Sequence, residues 1–352
     1  MKGLPNLGNT CYFNTAVQCL AHVPLLANTL LRSDYKGPCE VTREFSKLVR
    51  QIWSDGGEVP DPRPLHGAFT TRFPHFAGTG QHDAQEVILN LIDIFENSFD
   101  KKFIKRIFTG REEQETVYPG GRSTRTDDFV SVMFPTTGES GEVTLEELLA
   151  RRAKHMALTG YTDDSGRTHN VAAVCQRVSE WPIVATFTFG VYGPKSTVIL
   201  PETFEGRYLF AVVLHAGMMH GGHYAVAVRH GDKWVIKDDE TVHELNEPPL
   251  KGPFYMAMYR LQTRPIGYSP AGSPKSESKC DDYLDTSYRS GSSPVPIPGR
   301  RIRTRGSSHP ETVRTRPGEA QPPCTRSRDP ARTARGRSEL KSLWLYDRGA
   351  SI

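Results

Sequence analysis

Cysteine is scarce in this chain, with six residues in 352, and no two of them form a C-x-x-C pair. That absence leaves no paired-thiol zinc motif and no dense disulfide framework, which points to a reducing compartment. Long apolar runs are missing too: no stretch approaches the roughly 20 residues a membrane-spanning helix needs. The first residues do not read as a secretory leader. The expectation is a soluble intracellular protein, cytoplasmic or nuclear. No internal repeat is visible.

What is present divides the chain in two. Residues 262–352 are rich in Pro, Ser, Arg and Gly and hold 17 Lys or Arg against 9 Asp or Glu, a net charge of +8. The whole chain carries +4, which leaves the first part at −4. Segments such as "SPAGSPKSES" bury too little apolar surface to offset their ordering entropy, so this basic tail is expected to be disordered. Its arginines suit an acidic partner, RNA or a membrane surface, and "GRRIRTR" fits a nuclear import signal. Residues 1–261 carry regular apolar runs and are expected to form the folded domain, its mildly acidic body suited to a basic protein substrate.

Within that domain the order of elements sets the class. In "GLPNLGNTCYFNTAVQCL", residues 3–20, Phe13, Ala16, Val17 and Leu20 recur at the spacing of one buried helical face, with Thr10 or Asn9 as N-cap. "TREFSKLVRQIW" predicts a second helix, "VPDPRPLHGAF" a Pro-rich loop, and "GTGQHDAQEVILNLIDIFENSF" a strong helix capped by Asp83. Near residue 105 the pattern turns to short strands, interrupted by "TLEELLARR", a brief helix capped by Thr144. "WPIVATFTFGVYG", "YLFAVVLHAG", "HYAVAVRHGDKWVIKDD" and "FYMAMYRL" follow as strands, with "RHGDKW" as a hairpin connection. Helices first and antiparallel strands after them predict an α+β domain.

Cys11, in the first helical turn, lies among unpaired N–H groups that favour the thiolate. A nucleophilic cysteine needs a base, which a third group usually orients. His223 opens a predicted strand behind Gly221 and Gly222, and an adjacent antiparallel strand would bring Asp238 back toward it. Plainer readings stand beside this one. Cys11 is equally a small core residue, Asp238 and Asp239 are turn acids, and His215, His220 and His223 make an alternative metal set.

Taken together, three ordered motifs resemble the ubiquitin-specific proteases. The stretch around Cys11 looks like their cysteine box, "GTGQHDAQEVILNLID" like their Gln-Asp box, and "LFAVVLHAGMMHGGHYAVAVRHGDKWVIKDDETV" like their histidine box. The resemblance covers residues 3–260. It implies a papain-like cysteine peptidase with a helical thumb, an antiparallel-sheet palm and fingers, acting after the C-terminal Gly of ubiquitin. It implies Cys11 as nucleophile, His223 as base, Asp238 as orienting acid, and Asn6 as an amide supporting the oxyanion hole. Asp83, with Gln85 near it, matches a position that pairs with arginines of the ubiquitin tail, and Tyr224 a tail-contacting tyrosine. Asn6 also reads as a turn residue, and Asp83 as a helix cap.

Two departures matter. Many members hold zinc with two C-x-x-C pairs at the fingertips, and this chain has none, so fingers lacking a zinc site are expected, with no cofactor. Phe189, in "TFTFG", stands where arginine is common. A protease for a ubiquitin-like modifier of the interferon-response type, a catalytically weak ubiquitin-binding module, and a protein whose working part is the basic tail remain as alternatives.

Overall fold

The computed structural model describes residues 2–134, 141–190, 197–218 and 221–261. The expected disordered tail and His220 lie outside the described residues. Six helices come first: α1 (Cys11–Ala21), α2 (Pro24–Arg32), α3 (Glu40–Trp53), α4 (Arg63–Arg72), α5 (Ala84–Ser98) and α6 (Lys101–Phe108). The Pro-rich stretch expected to be a loop is partly α4. Pro64 falls in its first turn, where a missing N–H costs nothing.

The strands are β1 (Gly110–Tyr118), β2 (Gly121–Phe129), β3 (Val132–Phe134), β4 (Glu142–Thr144), β5 (Met156–Leu158), β6 (Tyr161–Thr162), β7 (Thr168–His169) and β8 (Ala172–Glu180). They continue as β9 (Val184–Phe189), β10 (Thr197–Ile199), β11 (Thr203–Phe204), β12 (Arg207–Met218), β13 (Gly221–His230), β14 (Lys233–Asp238), β15 (Thr241–Leu245), β16 (Lys251–Gly252) and β17 (Phe254–Leu261). Helix α7 (Leu145–Arg152) follows β4, and Thr144 closes its start with the expected capping box to Glu147. No helix among the described residues is long and apolar enough to cross a membrane.

The main sheet runs β15-β14-β13-β12-β17-β9-β3, with β11 paired to β12. A separate four-stranded sheet, β2-β1-β8-β5, forms the fingers. Pairing is antiparallel as expected except for β3 with β9 and β4 with β10, which are parallel. The unbroken apolar run of β13, whose successive side chains point to opposite faces, fits a sheet buried on both sides. Tyr224, Val226 and Val228 join the core shared with the helices, and Ala225 and Ala227 join the core on the other face.

Helix α1 lies between α5 and β13 and is buried along its whole length, beyond the single face its periodicity predicted. Its polar side is satisfied rather than exposed. Asn14 donates to the carbonyls of Leu4 and Pro5 and to Asp239. Gln18 donates to the carbonyl of Lys2 and accepts from Lys237. The helix that starts at Cys11 is thereby tied to the segment that carries both aspartates.

Candidate active site

Three distant segments meet at the start of α1. Cys11 is its first residue and is 2% exposed. Thr10 is the N-cap by position, but its hydroxyl accepts from the N–H of Leu7 at 2.9 Å instead of capping the helix. His223 is the third residue of β13, and β14 returns antiparallel beside it and ends at Asp238. The His223 Nε2 lies 2.5 Å from Asp238 Oδ1, and the Cys11 thiol stands close enough to the imidazole to act on its charge. With Nε2 engaged by the carboxylate, Nδ1 is the ring nitrogen left for sulfur.

The electrostatics follow from this arrangement. Burial alone pulls the imidazole down, but the hydrogen bond to Asp238 and the influence of the neighbouring Cys11 and Asp238 groups outweigh it and raise His223 to about 10. A histidine held by a carboxylate beside a cysteine is the proton-handling partner that a nucleophilic cysteine needs.

Asn6 stands beside the helix start in a fixed orientation. Its Oδ1 accepts from the N–H groups of Gly8 and Thr10 at 2.9 and 3.2 Å, and its Nδ2 donates to Asp239 Oδ2 at 2.7 Å. The other oxygen of Asp239 accepts from Asn14 at 2.9 Å. The backbone carbonyl of Asp239 accepts from the N–H of Leu4 at 2.8 Å. Asp239 adopts a left-handed conformation, φ +52°, which turns its side chain back onto the segment of residues 4–14. Gly3 allows the close approach, since a Cβ there would lie 2.3 Å from the Asp239 carbonyl oxygen. First-turn N–H groups have no partner within their own helix. An oriented amide is thus fixed to the residue that precedes Cys11 and its first-turn N–H.

The remaining sequence candidates lie on the adjoining wall. Asp83 caps α5, accepting from the N–H groups of Gln85 and Glu86, and it also accepts from the Tyr255 hydroxyl. Gln85 is buried in the first turn of α5. Tyr224 is buried with its ring 4.4 Å from His215 and 5.3 Å from Tyr255. The alternative metal set does not assemble, because His215 pairs with Tyr224 and His223 pairs with Ala216, which places the two histidines on opposite faces of the sheet.

Sequence reasoning missed Asp239, Asn14, Gln18 and Lys237. In the sequence Asp239 reads as a turn acid, and its partners are up to 233 residues away. The one signal available was the Asp-Asp pair itself. Gln81, whose Oε1 accepts from the Gly222 N–H, also joins the helical side to the glycines before His223.

Comparison with known proteins agrees with this geometry. The family profile described as "Ubiquitin carboxyl-terminal hydrolase" matches residues 2–127 and 122–263. Ubiquitin carboxyl-terminal hydrolase 22-B of Xenopus laevis is 26% identical over 348 residues, covering 74% of this chain and 66% of the relative. Ubiquitin carboxyl-terminal hydrolase 10 of Arabidopsis thaliana is 36% identical over 111 residues, covering 29% of this chain. That match takes in only 12% of the Arabidopsis protein's length. Among solved structures, the SAGA Ubp8/Sgf11/Sus1/Sgf73 DUB module bound to ubiquitin aldehyde aligns with a TM-score of 0.64 at 18% identity, over 75% of this chain and 70% of that one. The fold is therefore the papain-like one expected.

Proposed function

The chain belongs to the ubiquitin carboxyl-terminal hydrolase family, and from that premise we propose that it is a deubiquitinating thiol protease cleaving after the C-terminal Gly of ubiquitin. The observation that carries this reading is the His223–Asp238 hydrogen bond, with the Cys11 thiol at the start of α1 acting on the same imidazole. The Cys11 sulfur attacks the carbonyl carbon of the terminal Gly, and the developing oxyanion is received by the Asn6 amide and the Cys11 N–H. His223 gives its proton to the departing amine, the C–N bond breaks, and a thioester remains on Cys11. Water that loses a proton to His223 then releases the glycine carboxylate and restores the thiolate. Asp238 keeps the imidazole oriented throughout and stabilises its charged form before and after each turnover.

Asp83, Gln85 and Tyr224 are the residues we assign to the substrate tail, with the Asp83 carboxylate paired to its arginines. Ubiquitin aldehyde bound in the structural relative supports ubiquitin as partner. Free thiols at Cys11, Cys19, Cys39 and Cys175 suit a reducing compartment, and we place the protein in the cytoplasm or nucleus. Fractionation of tagged full-length chain tests that placement.

An electrophilic ubiquitin probe tests the activity. Full-length protein should form a covalent adduct that disappears in Cys11→Ala. Faster labelling by a probe built on an interferon-type modifier would reassign the substrate. Tight ubiquitin binding without labelling would make the chain a binding module.

A further inference from the structure

The fingers hold a second convergence of chemistry, remote in sequence from Cys11 and unused by the reaction. Strands β1 and β8 pair with Glu115 opposite Cys175. Strands β5 and β8 pair with Met156 opposite Val174, so His155, one residue before β5, falls beside Cys175. Residues opposite one another on neighbouring strands share a face. Glu115, Cys175 and His155 therefore form one row across three strands.

Their donor atoms lie within 4.8 Å of one another. The Glu115 Oε2 is 3.5 Å from His155 Nε2 and 4.0 Å from Cys175 Sγ. Around a tetrahedral zinc ion, ordinary bond lengths put N and O donors roughly 3.4 Å apart and S and O donors about 3.6 Å apart. The three groups already stand near ligating separation without an ion. The donor set matches as well, because thiolate and imidazole select zinc over the hard cations that a carboxylate alone would take. Cys175 is buried, while Glu115 and His155 are partly open to solvent, which leaves an entry side and a fourth position for water.

We propose that Glu115, His155 and Cys175 bind a zinc ion that ties the short edge strand β5 to β8 and β1. As the ion binds, the Cys175 thiol loses its proton to solvent and the sulfur takes the zinc. Two arginines compete for the carboxylate. Arg177 lies 3.8 Å from Glu115 Oε2 and Arg122 lies 3.5 Å from Oε1. Both side chains are mostly exposed and can swing away. The site departs from the expectation of zinc-free fingers that the missing C-x-x-C pairs gave, because strand register, not motif spacing, assembles its ligands. At the β6–β7 turn, Asp163 and His169 pair at 2.8 Å and the Tyr118 and Tyr161 rings pack on His169, a closure that uses no thiol.

The test uses the full chain carrying Cys11→Ala, so that the reactive thiol contributes nothing to metal binding. Zinc affinity is measured by competition with a chromophoric chelator, and the cobalt(II) derivative reports a sulfur-to-metal charge-transfer band. The expected result is a tightly held zinc, a sulfur band lost in Cys175→Ser, and affinity lower by more than about a hundredfold in His155→Ala, beyond the cost of losing an outer partner. His155 is half-exposed, so its replacement leaves the fold intact, as circular dichroism would verify. Arg177→Ala should tighten binding by removing a competing cation. A cobalt derivative without the sulfur band, or unchanged zinc affinity in folded His155→Ala, overturns the proposal.

Discussion

Asp239 holds Asn6: the amide donates to the buried carboxylate at 2.7 Å, and its oxygen accepts from the N–H of Thr10, the residue before Cys11. The acid next to the one that orients the histidine thus orients the amide proposed to receive the oxyanion. Replacing Asp239 by Ala should lower kcat by about tenfold to a hundredfold with KM little changed, since the lost interaction forms only with developing charge. Asn6→Ala should do the same. The double variant should be no worse than the worse single one, because both remove one contact. Asp239→Asn, whose side-chain oxygen still accepts, should recover part of the rate. Steady-state kinetics on a fluorogenic ubiquitin substrate measures all four.

Gly3 offers a way to disturb that arrangement from outside it. An added Cβ would lie 2.3 Å from the carbonyl oxygen of Asp239 and 2.6 Å from that of Glu240. Both neighbours are backbone, so the turn itself must shift. Gly3→Ala should cost about 1–3 kcal/mol of stability, as overpacking does. It should also slow probe labelling while leaving the circular dichroism spectrum unchanged. Urea unfolding and labelling rates report the two effects separately.

The His223–Asp238 pair sets a pH window. Its imidazole has an ordinary value of 6.5 and is raised to about 10, so its contribution to stability is fully present below 6.5 and is lost as pH rises through about 10. Alkylation of Cys11 by iodoacetamide should give one profile in the wild type and another in Asp238→Asn. The variant's imidazolium loses its hydrogen-bonded anion, and its profile should change already at lower pH. Identical profiles would mean that Asp238 does not govern the imidazole.

What could be read from sequence divides along the distance over which each feature is determined. Asp83 and Thr144 were legible as caps because a cap and its N–H partners lie within three residues. Cys11, His223 and Asp238 were legible because three motifs occur in order, and the hairpin between β13 and β14 is local. Helix α6 carried its own signal, Asp100 accepting from the Phe103 N–H before an amphipathic run, but its two turns were lost beside the change to strands. The parallel pairs β3–β9 and β4–β10 join segments more than fifty residues apart, which periodicity does not encode. Asp239 was invisible as a positioning residue because its role depends on a left-handed turn and on the buried polar side of α1. The same holds for the row of Glu115, His155 and Cys175, which only strand register brings together.

Lys237 gives the last prediction. Its side chain is buried beside α1, donates to Gln18 Oε1 at 2.8 Å, and is brought down by burial from 10.5 to about 7. Because the folded state binds this proton less tightly than the unfolded chain, stability should rise with pH between about 7 and 10.5, and the penalty is complete below 7. The gain from about pH 7 to about pH 9.5 should be roughly 3 kcal/mol. His223 works in the opposite direction over part of that range, so the wild type alone does not isolate the effect. In Lys237→Met the rising component should vanish, leaving a shallower or falling curve. Gln18 Oε1 then loses its donor, which costs about 1–3 kcal/mol and offsets part of the relief at neutral pH. The difference in urea midpoints between the two proteins, followed against pH, is therefore the readout. A difference that stays constant with pH would show that the buried amine is charged in the native state.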